Sequence, residues 1–226
     1  MLGAALQAMP RIPFTTLFLG HNEIGDGGAA MLGAALQAMP RIPFAELDLD
    51  YNQLTAVGVA SLVPALRRPW GDGGLHGLWL GENSLGDAGV AALAKVLPST
   101  LDLLLLDDTN CGDDGLFALV AVLPTLTRLT QLYCRNIPAT ARGWAALIAA
   151  LPSLPALEHL VLESNTGLGP EGAAALAVTV PNCPRLQELH LYECELGGQA
   201  RSRLEALNRP APDPRGALLV NLDMYH

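Results

Sequence analysis

Seven short stretches of the chain share one order of apolar and polar positions. They are FTTLFLGHN, FAELDLDYN, LHGLWLGEN, LDLLLLDDT, LTQLYCRNI, LEHLVLESN and LQELHLYEC, beginning at Phe14, Phe44, Leu75, Leu101, Leu129, Leu157 and Leu186. Successive starts lie 26 to 31 residues apart. Each stretch reads apolar-x-x-apolar-x-apolar, and its last two apolar positions are two apart, the period of a strand with one buried face. The pattern predicts buried columns Phe14/Leu17/Leu19, Phe44/Leu47/Leu49, Leu75/Leu78/Leu80, Leu101/Leu104/Leu106, Leu129/Leu132/Cys134, Leu157/Leu160/Leu162 and Leu186/Leu189/Leu191. An Asn column follows at Asn22, Asn52, Asn83 and Asn165, a residue whose amide can bond the backbone where a chain leaves a strand. Thr109, Ile137 and Cys194 stand in that column elsewhere, which predicts a locally weaker ladder.

Between strands the period changes. Gly-Asp pairs at Gly25-Asp26, Gly86-Asp87 and Gly112-Asp113 read as turns. A glycine column then runs through Gly28, Gly58, Gly89, Gly115, Gly143 and Gly172. Four residues on stand Leu32, Leu62, Leu93, Leu119, Leu147 and Leu176. Eight on stand Leu36, Leu66, Leu97, Leu123, Leu151 and Val180. Spacing of four and eight in an Ala-rich setting is one face of a helix. Pro98, Pro124, Pro152 and Pro181 mark where each helix should stop. A single strand–helix unit cannot bury both of its apolar faces, whereas stacked copies share one core.

The run LHGLWLGENSLGDAGVAALAKVLP, from Leu75 to Pro98, closely resembles a ribonuclease-inhibitor-type leucine-rich repeat. Repeats of that class also form the sensing end of NOD-like receptors and the body of Ran GTPase-activating protein. The resemblance implies an α/β fold: a leucine-rich-repeat solenoid, a right-handed βα horseshoe with parallel strands on the concave face and helices outside. Residues 1–226 then form one domain, with a partial repeat at 1–13, repeats starting near 14, 44, 75, 101, 129, 157 and 186, and a terminal strand at 217–226. The repeats from Leu129 and Leu186 are the least regular, with NIPATARG at Asn136–Gly143 and Ala200 in the glycine column. In the last segment Val220 and Leu222 should point inward. Met1–Phe14 recurs identically at Met31–Phe44, so it is repeat material rather than a leader. An array that begins mid-repeat points to a longer product or a truncated one.

Composition narrows the function classes. Aromatic residues make up 5% of the chain against 50% apolar overall, so the core must be Leu, Ala and Val. The net charge of −9 disfavours nucleic acid or an anionic membrane as partner and suits a basic protein surface. No apolar run is long enough to cross a bilayer. Four scattered cysteines, Cys111, Cys134, Cys183 and Cys194, fit a reducing, cytoplasmic setting. Cys183, in a return loop, reads as the most modifiable thiol. The oligomeric state has no signature in the sequence.

In such a solenoid the exposed strand positions carry recognition. They comprise Phe18, Trp79, Tyr133 and His190 with Asp48 in one column, and Asp50, Tyr51, Glu82, Asp107, Asp108, Glu163, Tyr192 and Glu193 just past the strands. Arg135, which follows the strand of Tyr133, is the only Lys or Arg in these columns. Exposed aromatics flanked by carboxylates suit a protein partner with an electropositive surface. The plainer reading is that aromatics cover their strand neighbours and acids keep the face soluble. Asp107, Asp108, Glu82 and Asp50 raise a metal alternative through hard oxygen ligands, but no ligand geometry follows from spacing, and no cofactor is expected. The histidines pair with no nucleophile at a recognisable spacing and read as exposed strand residues. The expected function is therefore a protein-interaction module using its concave face, within a larger receptor-like or regulatory protein. A GTPase-activating regulator is the alternative, although the early loops His21-Asn22-Glu23 and Tyr51-Asn52-Gln53 hold no arginine.

Overall fold

The structure is a computed structural model and describes residues 15–71, 73–209 and 216–223. The partial repeat at 1–13, the first column residue Phe14 and most of the proline-rich stretch NRPAPDPRG at 208–216 lie outside these residues. Strands and helices alternate as the two periodicities require: β1 Thr16–Phe18, α1 Gly25–Ala38, β2 Glu46–Asp48, α2 Ala56–Leu66, β3 Gly77–Trp79, α3 Gly86–Ala94, β4 Leu103–Leu105 and α4 Asp113–Val120. Then follow β5 Gln131–Tyr133, α5 Ala141–Ala150, β6 His159–Val161, α6 Gly169–Thr179, β7 Glu188–His190, α7 Gly198–Glu205 and β8 Leu219–Asn221.

Among the described residues the strands form one open parallel sheet in chain order, β1 through β8, each paired with the next. The register carries Leu17, Leu47, Leu78, Leu104, Leu132, Leu160, Leu189 and Val220 as a single central row. From Leu47 to Leu189 that row is at most 1% exposed. The helices pack side by side on the same face of the sheet, and their Leu32, Leu62, Leu93, Leu119, Leu147 and Leu176 are buried against it. Strands pack about 4.8 Å apart but helices about 8–10 Å apart, so the sheet lies inside the curve. The fold is the expected α/β solenoid. At the β1 end, Leu17 and Leu19 are only half-buried.

Three predicted features take a more specific form. Pro124, Pro152 and Pro181 each sit in the first turn of a 3-10 segment, Leu123–Thr125, Leu151–Ser153 and Val180–Asn182. There a missing N–H costs nothing, and each proline ends the α-helix by opening a tighter turn. The Gly-Asp pairs do not form free turns; they open helices α1, α3 and α4. Their carboxylates reach across to the next repeat. Asp26 accepts from Thr55 N and Thr55 Oγ1 at 2.8 and 2.6 Å, and Asp113 accepts from Thr140 N and Oγ1 at 2.8 and 2.7 Å. Asp87 accepts from Gly112 N and Gly115 N at 2.6 and 2.8 Å. Each acid thus satisfies orphan amides at the start of the following helix. The glycine column is the steric complement: a Cβ on Gly58 or Gly143 would overlap the Asp26 or Asp113 carboxylate.

From Asn52 onward the Asn column forms a buried hydrogen-bond ladder between repeats, whereas Asn22 is exposed and its amide bonds the Leu19 and Gly20 carbonyls of its own repeat. Asn83 Oδ1 accepts from Asn52 N and Leu54 N at 3.0 and 2.9 Å, while its amide nitrogen lies 2.9–3.0 Å from the carbonyls of Leu49, Leu80 and Gly81. Asn52 and Asn165 make the same kind of link. Thr109 donates one bond, to Leu106 O, and Cys194 Sγ lies 2.9 Å from Leu162 O. Truncating a buried ladder residue strands donors and acceptors on two repeats. Asn83→Ala should therefore cost about 3 kcal/mol of unfolding free energy, measured by urea titration. Trp144 is fully buried yet its Nε1–H has no acceptor among the described residues. Trp144→Phe should accordingly cost much less than Trp144→Ala, which would open a cavity worth about 3–5 kcal/mol.

Candidate functional site

The helix-free face of the sheet has two columns per strand and two positions beyond the strand end. Cross-strand register aligns Phe18, Asp48, Trp79, Leu105, Tyr133, Val161, His190 and Asn221 in one row. The row predicted from spacing is therefore contiguous. A second row was missed: Thr16, Glu46, Gly77, Leu103, Gln131, His159, Glu188 and Leu219. Each stands two residues before a member of the first row, so the strand period alone would have found it.

The aromatics differ in how they are held. Phe18 is 73% exposed and Tyr51 46% exposed. Tyr51 stacks on His21 with ring centroids 4.1 Å apart and donates its hydroxyl to Glu82 at 2.8 Å. Trp79 is half-buried, and its six-membered ring lies where a Cβ on Gly77 would be. Gly77 thus lets the indole lie along the sheet. Tyr133 is half-buried, donates to Gln131 at 3.1 Å and has the Arg135 guanidinium 5.9 Å from its ring centroid. Tyr192 is half-buried and bonded to Glu193.

His190 corrects the expectation of exposed strand histidines. It is 6% exposed, and Val161 beside it is 4% exposed. Its ring lies between Glu163 at 3.3 Å and Glu188 at 3.2 Å, and Glu188 also meets His159 at 3.2 Å. The same polar chain continues through Arg135, 3.5 Å from Glu163 and 3.3 Å from Asp107. Cys183 is a second correction. Its thiol is 3% exposed and burial raises its pKa to about 11, so it is packed rather than reactive.

The carboxylates past the strand ends are held by backbone. Asp50 accepts from Gly81 N at 2.6 Å, Asp107 from Arg135 N at 2.7 Å, and Asp48 from Asp50 N at 3.0 Å. Asp108 receives the amide of Asn136, and Ser164 donates to Glu193 at 3.0 Å. Asp50, Asp107, Asp108 and Glu82 do not converge: among the described residues no group of three His, Cys, Asp or Glu is placed to hold a metal ion. The next position along carries an unexpected backbone feature. His21, Tyr51, Glu82, Asp108, Asn136, Ser164 and Glu193 all have φ between 47° and 59°, left-handed although none is glycine.

Desolvation raises the carboxyl of Asp50 to about 7, with Asp48, Asp107 and Glu82 adding like charge against the bond from Gly81. Asp107 rises to about 6, again through burial, offset by the Arg135 backbone bond and its charge. A carboxyl with a raised folded pKa binds protons more tightly folded than unfolded, so its contribution favours the fold at low pH and is lost as pH rises through the folded value. Asp50→Asn should therefore raise Tm at pH 8 by about 2–4 °C and by less at pH 5.5, read by differential scanning calorimetry.

Among the described residues no helix is long and apolar enough to cross a membrane. No curated protein matches the chain. The Leucine Rich repeat family profile matches residues 13–33, 45–63 and 154–177. Those windows fall in the first two strand–helix units and in the unit containing β6 and α6, and together with the sheet geometry they show that the chain carries leucine-rich repeats folded as an α/β solenoid.

Proposed function

We propose that this chain is a protein-interaction module that binds its partner through the concave sheet face and performs no catalytic step. Leucine-rich-repeat domains generally mediate protein–protein interaction. The observation that carries the reading here is a strand face with no element packed on it among the described residues, bearing Phe18, Tyr51 and Trp79 at its surface among Asp48, Asp50 and Glu82. Aromatic anchors in an acidic surround favour a partner with a basic surface. The same character suits the recognition part of a larger receptor-like or regulatory protein in the cytoplasm, in the manner of NOD-like receptors. The loops after β1, β2 and β3 hold His21-Asn22-Glu23, Tyr51-Asn52-Gln53 and Glu82-Asn83-Ser84, so a GTPase-stimulating role finds no arginine there.

The test is affinity capture with the native chain and with the double variant Trp79→Ala/Tyr133→Ala. Partners held through the concave face should be recovered about tenfold less by the variant. Equal recovery of every partner by both would remove the concave-face reading, and recovery of no partner by the native chain would leave the solenoid as a spacer.

A further inference from the structure

The concave face is not uniform along the array. In its β5–β7 half, Glu163 and Glu188 already have side-chain nitrogen partners on the same face. Arg135 sits between Asp107 and Glu163, and His190 and His159 lie against Glu163 and Glu188. Its two tyrosines are half-buried and bonded to neighbours on the same face. The β1–β4 half differs on both counts. Its strand rows and the two positions beyond them contain no Lys or Arg. Among the described residues, Glu46, Asp48, Asp50 and Glu82 accept from hydroxyls and backbone amides: Thr16, Asp50 N, Tyr51 and Gly81 N. The most exposed aromatics of the face, Phe18 and Tyr51, stand in this half.

Resting on the concave-face reading above, we propose that the partner is a protein presenting a Lys- or Arg-bearing segment with apolar neighbours, and that it docks on the β1–β4 half of the sheet face. Charge complementarity selects this occupant. A cation placed over Asp50 supplies the opposite charge that this crowded, half-buried carboxylate lacks, while Phe18 and Tyr51 give the stem of the side chain an apolar surface to cover. An acidic or neutral partner would add like charge or leave these carboxylates desolvated without compensation. Gly20 and Gly81 flank Asp50 in its row, and the Asp48 carboxylate and the Leu105 side chain lie where their Cβ atoms would be. A partner cation favours ionised Asp50, whose carboxyl titrates near 7, so binding should strengthen as pH rises from 6 to 8.

The test uses a peptide of repeated Lys-Gly-Phe units and the same peptide with its lysines acetylated, titrated calorimetrically against the full chain at low salt. Two triple variants, titrated at pH 8, each remove three carboxylates: Asp48→Asn/Asp50→Asn/Glu82→Gln in the first half and Glu163→Gln/Glu188→Gln/Glu193→Gln in the second. Circular dichroism checks that each retains its fold. The lysine peptide should bind about tenfold tighter than its acetylated form, the first variant should lose about tenfold, and the second less than about twofold. A larger loss in the second variant would overturn the location while leaving the concave face as the binding surface. Equal losses would reduce the effect to net charge and overturn the location as well. Tight binding unchanged by either variant would remove both this inference and the concave-face reading. Failure of the lysine peptide to bind would overturn the cationic partner.

Discussion

Everything in this molecule depends on one repeat burying its neighbour. A strand of three residues and a helix of 8 to 14 residues have too little surface to form a core of their own. Stacked in register, their leucines close into one continuous apolar layer. Polar groups must be satisfied across the same junctions, and two devices do it at opposite ends of each repeat. Buried asparagines such as Asn83 bond the backbone of the preceding unit where its strand ends. Helix-opening aspartates such as Asp113 bond the amides that start the following helix. At Gly58, Gly115 and Gly143 that carboxylate occupies the volume a side chain would need, whereas Ile24, Leu85 and Leu168 occupy it at Gly28, Gly89 and Gly172.

The stacking that builds the core also composes the outer face of the sheet. Because every strand is parallel and in register, a residue chosen in one repeat acquires neighbours from the repeats on either side. Acidic residues spaced by a whole repeat become adjacent carboxylates, and Asp50 is pressed by Asp48, Asp107 and Glu82. Where a basic residue enters the same rows, as Arg135 does, it ties carboxylates on both sides and closes that stretch of face. The result is one surface whose carboxylates meet arginine and histidine nitrogens in one half and hydroxyls and backbone amides in the other.

Much of the fold was legible because its information is periodic. Leucines two apart, then four apart, with glycine and proline at fixed places, are local signals repeated often enough to define strand, helix, stacking direction and row alignment. Phe18, Asp48, Trp79 and Tyr133 fall in one row as their spacing requires. The neglected row through Glu46, Gly77, His159 and Glu188 was equally available, since it follows from the same period of two. Two details escaped for a different reason. The role of Asp26 and Asp113 lies in a partner about thirty residues away, and the left-handed backbone at Tyr51, Glu82 and Glu193 is imposed by the turn toward the ladder rather than by residue preference.

By itself, then, the sequence determined the architecture: which residues face the core, which face outward, and which become neighbours along each row. Only the tertiary structure decided how much of each outward residue remains available. His190 and Tyr133 occupy outward positions just as Phe18 does, yet the first is enclosed by two glutamates and the second is engaged by Gln131 and Arg135. Periodicity gives direction, whereas exposure and charge state arise from side chains brought together from different repeats, and those pairings have no period to read.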